Sequence, residues 1–225
     1  MPRVAVSGRV PMAGRVVGMQ SQNLLVRSEQ LADSVWVEYG GAIVLADEAP
    51  PPFVGGGGLA DTFQDPVEGS PNFHGLYQLR TNVLGQIYTL SAYLKTILLA
   101  NSCALLLGNA QTSFSTFDLV TGTVAMAAGG SNPPLSRSIV SAGGGWWRCS
   151  ITVAQVIPGP VDWDIASAVS GGGGYIYQGA GARRFYMWGA QLNSSGAALP
   201  YQPTTGAPVG SDVELRAPVS GRVPA

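Results

Sequence analysis

The segments GGGWWRCSITV at 143–153 and RFYMWGAQLNSSGAALPYQPTTGAPV at 184–209 decide the fold class. In both, apolar and polar side chains alternate with a period of two, which is typical of a β-strand with one buried face. The apolar series of the first segment is Trp147, Cys149, Ile151 and Val153. That of the second is Tyr186, Trp188, Ala190 and Leu192, opposite Met187, Gly189 and Gln191. We predict two strands that place Trp147, Ile151, Trp188 and Leu192 in the core of a sandwich.

The rest of the chain between 22 and 210 favours more strands of the same kind. Further strand patterns occur at 36–39, 76–79, 88–95, 102–107, 113–119, 162–169 and 175–177. No window of ten or more residues has a helical period, and turn signals separate about nine or ten strands. The sequence therefore predicts an all-β protein: an antiparallel two-sheet β-sandwich of jelly-roll type at 22–210, with extended arms at 1–21 and 211–225.

Composition limits the possible partners. Charged residues make up 11% of the chain, against roughly 25% in ordinary soluble domains, and there are 31 glycines. Two interpretations remain open. The chain is either a Gly-rich β protein with many turns or a subunit whose surface is largely covered by neighbouring subunits. The net charge of −1 argues against nucleic-acid binding, and no apolar tract is long enough to span a bilayer. Without a secretory signal, we expect a soluble protein made in the cytosol, with two free thiols at Cys103 and Cys149.

The two arms share an identical segment. VSGRVP at 6–11 recurs at 219–224, and residues 1–20 carry three arginines and no acidic residue, whereas 21–210 hold seven basic and eleven acidic residues. The repeat is either low-complexity drift in the tails or a pair of docking segments for neighbouring subunits. We favour docking, with arginines pairing to carboxylates. The arginines of these assembly arms are Arg3, Arg9, Arg15, Arg216 and Arg222.

Catalytic and metal motifs have little support. His74 is the only histidine, no Gly-x-Ser-x-Gly elbow is present, and two distant cysteines do not give zinc spacing. We therefore predict no enzymatic activity, no cofactor and no metal. Asp162 and Asp164 lie two apart and project to one strand face, where they resemble a glycosidase carboxylate pair; a solvated strand face is the favoured interpretation.

Glycan binding is better supported, because sugars stack on exposed aromatic rings. The candidates are aromatic residues near turns or on outward registers, together with polar neighbours. The aromatic candidates are Tyr93, Trp146, Trp163, Tyr175 and Tyr177, and the polar ones are Arg148, Asp162 and Asp164. Each of the aromatic residues could equally serve core or interface packing.

Several segments together resemble a β-sandwich module of tailed-bacteriophage virion proteins that is similar to carbohydrate-binding modules. They are NLLVRSE (23–29), LADTF (59–63), GLYQ (75–78), YTLSAYLK (88–95), FDLVTGTV (117–124), GGWWRCSITV (144–153) and YMWGAQLNSSGAALPYQPTTGAPV (186–209). The resemblance covers about 22–210. The chain departs from it at 50–58, where three prolines and four glycines replace a short Asp-Gly-Thr turn.

The resemblance implies a structural virion protein that decorates and cements the capsid surface. The implied partners are two further copies in a homotrimer, the major capsid protein and a host-surface glycan. The alternative is the receptor-binding module of a tail fibre or tailspike, but the chain has neither heptads nor β-helix repeats from which to build a shaft.

Overall fold

The computed structural model describes residues 22–53, 57–97, 102–107, 113–129, 131–156, 159–169 and 174–210. Fourteen strands occur in these ranges. They are β1 (Val37–Tyr39), β2 (Ile43–Ala49), β3 (Ala60–Gln64), β4 (Asn72–Phe73), β5 (Gly75–Asn82), β6 (Ile87–Thr96), β7 (Ser102–Leu107), β8 (Ser113–Asp118), β9 (Thr123–Gly129), β10 (Ser136–Gly143), β11 (Trp146–Ala154), β12 (Gly159–Ala168), β13 (Ile176–Tyr177) and β14 (Arg183–Asn193).

The strands form two six-stranded antiparallel sheets. The first sheet has the order β1-β5-β12-β7-β8-β9 and the second β10-β11-β6-β14-β3-β2, while β4 and β13 pair as a small separate ribbon. Side chains from both six-stranded sheets meet in one core, for example Leu105 and Ile165 from the first and Leu90 and Ile151 from the second. The predicted all-β antiparallel sandwich is confirmed.

Alternation places the core as expected along most of β6 and β11. Leu90, Leu94 and Ile151 are fully buried between the sheets, and Trp147 packs half-buried against the same core. Since successive side chains of a strand point to opposite faces, the residues between them lie on the outer face of the second sheet.

The expected register of β14 is wrong over half its length. Met187 lies in the inter-sheet core, whereas Trp188 packs on the outer face with Tyr93 and Trp146. A β-bulge between Trp188 and Gln191 shifts the pairing with β6, and Gly189 adopts a φ of 62° there. One extra residue reverses the alternation, so Leu192 returns to the core as predicted while Trp188 does not reach it.

Three strands of the second sheet carry no clear sequence pattern. β2 and β10 are its edge strands and are mostly exposed on both sides, so neither shows an apolar face. β3 is buried throughout and is equally without alternation. Period-two patterns mark only strands with one buried face, which is why fewer strands were predicted than the structure has.

Asn23 links the N-terminal and C-terminal segments of the sandwich. Asn23 and Val209 form an isolated antiparallel bridge, and the buried Asn23 side chain donates to the carbonyls of Ala190 and Gln202 at 2.9 and 3.0 Å. The predicted arms at 1–21 and 211–225, with Arg3, Arg9, Arg15, Arg216 and Arg222, lie outside the described residues. The described ranges contain no helix of the length and hydropathy that a membrane span needs.

Cys103 on β7 and Cys149 on β11 face each other across the core. Both are free thiols with no exposed surface, and the two side chains are hydrogen-bonded to each other. Burial, followed by the neighbouring Cys103, raises the pKa of the Cys149 thiol well above its usual value. The sequence placed the two cysteines far apart, but the sandwich brings them into contact.

Candidate functional site

The outer face of the second sheet carries polar and aromatic side chains in rows that run across four strands. Val140 on β10 is opposite Arg148 on β11, Arg148 is opposite Tyr93 on β6, and Tyr93 is opposite Trp188 on β14. The next row toward the other end of the strands is Ser138, Ser150, Ser91 and Gln191. A mixed aromatic and cationic row therefore lies beside a row of hydroxyls and an amide.

The segment 194–205, which follows β14, folds back over half of this face. The Asn193 and Gln191 side chains donate to the carbonyls of Ala197 and Pro200 at 2.9 and 3.2 Å. Thr89 donates to the Ser195 carbonyl at 2.7 Å. These bonds satisfy backbone groups that the sheet does not pair. The β10 side of the face stays exposed.

Four aromatic rings pack together where this segment meets the sheet. Tyr201 lies 4.8 Å from Trp188 and 5.9 Å from Tyr93, measured between ring centroids. Phe53, from the loop after β2, stands edge-on to Tyr93 at 5.0 Å and to Trp188 at 5.9 Å. Trp188 and Tyr93 are almost fully covered, whereas Phe53 is 40% exposed and presents apolar ring surface to solvent.

Arg148 occupies the centre of the face. Its guanidinium carbon lies 5.4 Å from the Tyr93 ring centroid, and Nη2 donates to Ser91 Oγ at 3.0 Å and to the Leu199 carbonyl at 2.7 Å. Burial lowers the pKa of Arg148, and the Tyr93 and Tyr201 hydroxyls oppose that shift. The guanidinium stays charged at neutral pH because its ordinary pKa is so high.

Two adjoining cavities open on this face. The first has a volume of about 450 Å³; its lining residues are Phe53, Tyr93, Ser136, Ser138, Val140, Ser141, Ala142, Arg148, Ser150, Thr152, Ala197 and Ala198. The second has a volume of about 550 Å³; its lining residues are Glu48, Ala49, Pro50, Pro51, Pro52, Lys95, Ala142, Gly143, Gly144, Trp146 and Tyr186. Ala142 borders both. Both volumes fall within the range of about 300–1,000 Å³ that is usual for ligand pockets.

Three of the eight predicted glycan-binding residues meet at these cavities. Tyr93 and Arg148 line the first, and Trp146 lines the second. Trp146 points outward from the sheet as its register requires, but only 4% of it is exposed because Tyr186 and the neighbouring strands cover the ring. The expected exposed stacking platform at Trp146 is therefore wrong, and the ring forms part of a cavity wall.

Trp163 does not have the exposed position that was predicted for it as a glycan-binding candidate. Its side chain has no exposed surface and lies in the inter-sheet core, 5.9 Å from Tyr88 between ring centroids. Asp162 and Asp164 do share the opposite face of β12, as predicted. Because they face outward, the residue between them has to face inward.

Asp162 and Asp164 are not on a solvated face, contrary to the favoured interpretation. Both are buried, on the outer side of the first sheet and away from Arg148. Burial first and the charge of Asp162 second raise the pKa of Asp164 well above its usual value, and the Tyr39 hydroxyl lowers it in part. Burial also raises the pKa of Asp162.

Tyr175 and Tyr177 also lie away from the cavities. Tyr175 is buried edge-on against Phe73 and Phe114, at 5.0 and 4.6 Å between ring centroids. The Tyr177 hydroxyl donates to Asp65 and accepts a hydrogen bond from the Ser167 hydroxyl, and the Arg184 guanidinium carbon lies 5.1 Å from its ring centroid. Both side chains pack the small β4–β13 ribbon onto the body, so neither belongs with Arg148.

Sequence reasoning missed Phe53 and the β10 serines. Phe53 follows the three prolines at 50–52, in the loop that departs from the family resemblance, and no periodicity marks it. Ser136 and Ser138 do alternate with Arg137 and Ile139, a signal that pairing with β11 makes meaningful only once the edge strand is recognised. Among the described residues, no three His, Cys, Asp or Glu side chains cluster as a metal site requires.

Comparisons with known proteins give a distant likeness to solved structures. No family model and no curated protein sequence matches the chain. The solved structure of TmCBM61 in complex with beta-1,4-galactotriose aligns with 78% of this chain and 100% of that chain, at 14% sequence identity and a TM-score of 0.45. A likeness of this degree says nothing about what the present chain binds.

Proposed function

We propose that this chain is a glycan-binding β-sandwich and that its binding surface is the outer face of the second sheet. The observation that carries the proposal is the pair of adjoining cavities, whose lining residues include hydroxyls, one arginine and aromatic rings. Ligand sites are concave and mostly apolar, with a few polar groups that fix orientation. The first cavity has this composition.

The side chains that line the first cavity are chemically complementary to a sugar ring. A pyranose has an apolar C–H face and a rim of hydroxyls that both donate and accept hydrogen bonds. Ser138 and Ser150 offer hydroxyls that can take either role, whereas Thr152 donates its proton to Thr89 and can only accept from a ligand. Phe53 offers exposed ring surface at the cavity edge. One sugar residue can therefore stack on Phe53 while its hydroxyls reach the serines.

A glycan array followed by calorimetry on the positive ligand tests the proposal. Loss of an aromatic stacking contact is worth about 0.5–1.5 kcal/mol, which corresponds to roughly 2- to 12-fold in affinity. We expect Phe53→Ala to weaken binding by that factor. The matched control is Ile176→Ala, an exposed apolar side chain on β13 that lies away from both cavities, and we expect it to leave affinity unchanged.

Two outcomes would contradict this site. If no glycan on the array binds, the proposed function fails. If a glycan binds but Phe53→Ala and Ile176→Ala behave alike, the function stands and the surface is wrong.

The biological setting that we propose is the surface of a tailed-phage capsid, where this protein acts as a homotrimeric decoration and cement protein. Its support is the sequence resemblance across 22–210 and the identical VSGRVP segments at 6–11 and 219–224. Docking arms hold a subunit only if strand addition and buried valines offset a backbone entropy cost of roughly 1–2 kcal/mol per ordered residue.

Arm deletion and copy number test this setting. Removing 1–20 and 211–225 is expected to leave a folded sandwich that no longer binds capsids stripped of the protein. Full rebinding by the truncated chain would refute the cement role. A handful of copies per virion, with immunogold on the tail alone, would favour the alternative of a tail-fibre or tailspike receptor-binding module.

A further inference from the structure

Arg148 is the one charged side chain that lines the first cavity. Within the described part of the chain it forms no ion pair, and its hydrogen bonds go to a hydroxyl and a carbonyl. Nε is buried and has no hydrogen-bond partner among those residues. The fold therefore holds a cation in a partly buried cavity and supplies no anion for it.

This arrangement is costly for the protein alone. Taking a guanidinium out of water is unfavourable unless a charged partner or several hydrogen bonds compensate it. Two neutral acceptors on Nη2 and the Tyr93 ring compensate Arg148 only in part. A negatively charged ligand compensates the rest of this desolvation cost. A planar carboxylate is especially suitable, because its two oxygens can accept two parallel N–H bonds from the guanidinium.

The surroundings of Arg148 suit an acidic sugar more than a free anion. Ser138, Ser150 and Thr152 line the cavity beside it and add neutral hydroxyls over a span larger than a single ion needs. Lys95 borders the second cavity, two residues along β6 from Tyr93, together with Glu48. The two cavities adjoin at Ala142, as binding sites for successive residues of a polymer would.

We propose that the first cavity binds an acidic sugar residue of a polysaccharide, with its carboxylate or sulfate on Arg148 and its hydroxyls on the β10 and β11 serines. This inference rests on the proposed glycan-binding function and specifies the class of glycan. Carboxylate and sulfate share the charge that Arg148 requires, so the experiment has to separate them.

The test uses the intact chain and an array that holds neutral, uronate-bearing, sialate-bearing and sulfated glycans. The best acidic ligand is then compared with its own carboxyl-reduced or desulfated form by calorimetry. We expect at least tenfold weaker binding after the charge is removed from the ligand, and weaker binding of the acidic form as salt rises. The uronate, sialate and sulfate arms of the array identify which anion the site takes.

Two arginine variants test the assigned residue. Arg148→Gln is expected to weaken binding of the acidic glycan at least tenfold and to weaken binding of its neutral form by a clearly smaller factor. Arg137→Gln is the matched control, because it removes the same charge from the adjacent strand β10 on the side away from the cavity, and we expect no comparable loss. Arg148→Lys keeps the charge without the fork and is expected to retain intermediate affinity, so it serves if Arg148→Gln folds poorly.

The outcomes separate this inference from the proposed function. Equal binding of the acidic glycan and its neutral form, or an array on which only neutral glycans bind, overturns the acidic-sugar inference and leaves glycan binding intact. Equal effects of Arg148→Gln and Arg137→Gln also overturn it. An array with no binding at all overturns both.

Discussion

Gly189→Ala is expected to destabilise the sandwich because Gly189 forms the bulge that turns Trp188 outward. Its φ of 62° lies in the left-handed region, which costs a residue with a Cβ about 1–2 kcal/mol. A Cβ there would also lie 3.0 Å from Tyr93 Cδ2 and 3.2 Å from Tyr201 Cε2. Contacts that close require the two rings to shift, at a further cost of about 1 kcal/mol. The expected loss in the free energy of unfolding is about 2–3 kcal/mol.

Urea unfolding followed by tryptophan fluorescence measures this loss, with the slope of free energy against urea used to check that the unfolding reaction is unchanged. The control is Gly196→Ala, in the segment after β14, where an added Cβ meets nothing within 4 Å and φ is not positive. We expect the control to stay within about 0.5 kcal/mol of the wild type. If the two variants unfold at the same urea concentration, the bulge is not held by Gly189 and the account of the β14 register fails.

Three further predictions concern buried groups. Trp163→Ala removes the largest fully buried core side chain and is expected to cost about 3–5 kcal/mol in urea unfolding; a loss below 1 kcal/mol would contradict its core position. The folded-state pKa of Asp164 is raised, so its contribution to stability is full below the ordinary aspartate pKa of about 3.9 and is lost as pH rises through the raised value. Thermal midpoints should accordingly fall with rising pH in the wild type and be flatter in Asp164→Asn; parallel curves would refute this. Cys103 and Cys149 are buried free thiols, so iodoacetamide should label neither in the native protein and both after unfolding; rapid native labelling, or a bridge between them, would contradict the structure.

The sequence predicted the fold class from strands with one buried face. Alternation around Leu90 and Ile151 was sufficient, because such strands present a regular apolar series to the core. The exposed edge strands β2 and β10 and the fully buried β3 lack that series and were missed. A one-residue bulge at Gly189 also defeats any fixed period, which is why Trp188 was placed on the wrong face.

The sequence predicted only part of the candidate site, and one of the wrong assignments conflicts with simple strand geometry. Tyr93 and Arg148 were named individually, and strand pairing then placed them side by side. Trp163 was grouped with Asp162 and Asp164, although neighbours on a strand cannot share a face. Phe53 had no periodic signal, since a loop takes its position from tertiary packing.

Different parts of the chain build the aromatic cluster beside Arg148 and the outer edge of the first cavity. Segment 186–209 supplies Trp188 and Tyr201, and Tyr201 packs against Trp188 and Tyr93. It also supplies the Leu199 carbonyl, which accepts a hydrogen bond from Arg148. Phe53 and the β10 serines line the outer edge of the first cavity, and they lie outside 186–209. Segment 186–209 therefore helps to fix the position of the Arg148 guanidinium, while the loop after β2 and the edge strand β10 determine which ligands can reach it. Edge strands and loops accept substitution with little effect on the core, so the ligand preference of this face can change without any change in the fold that supports it.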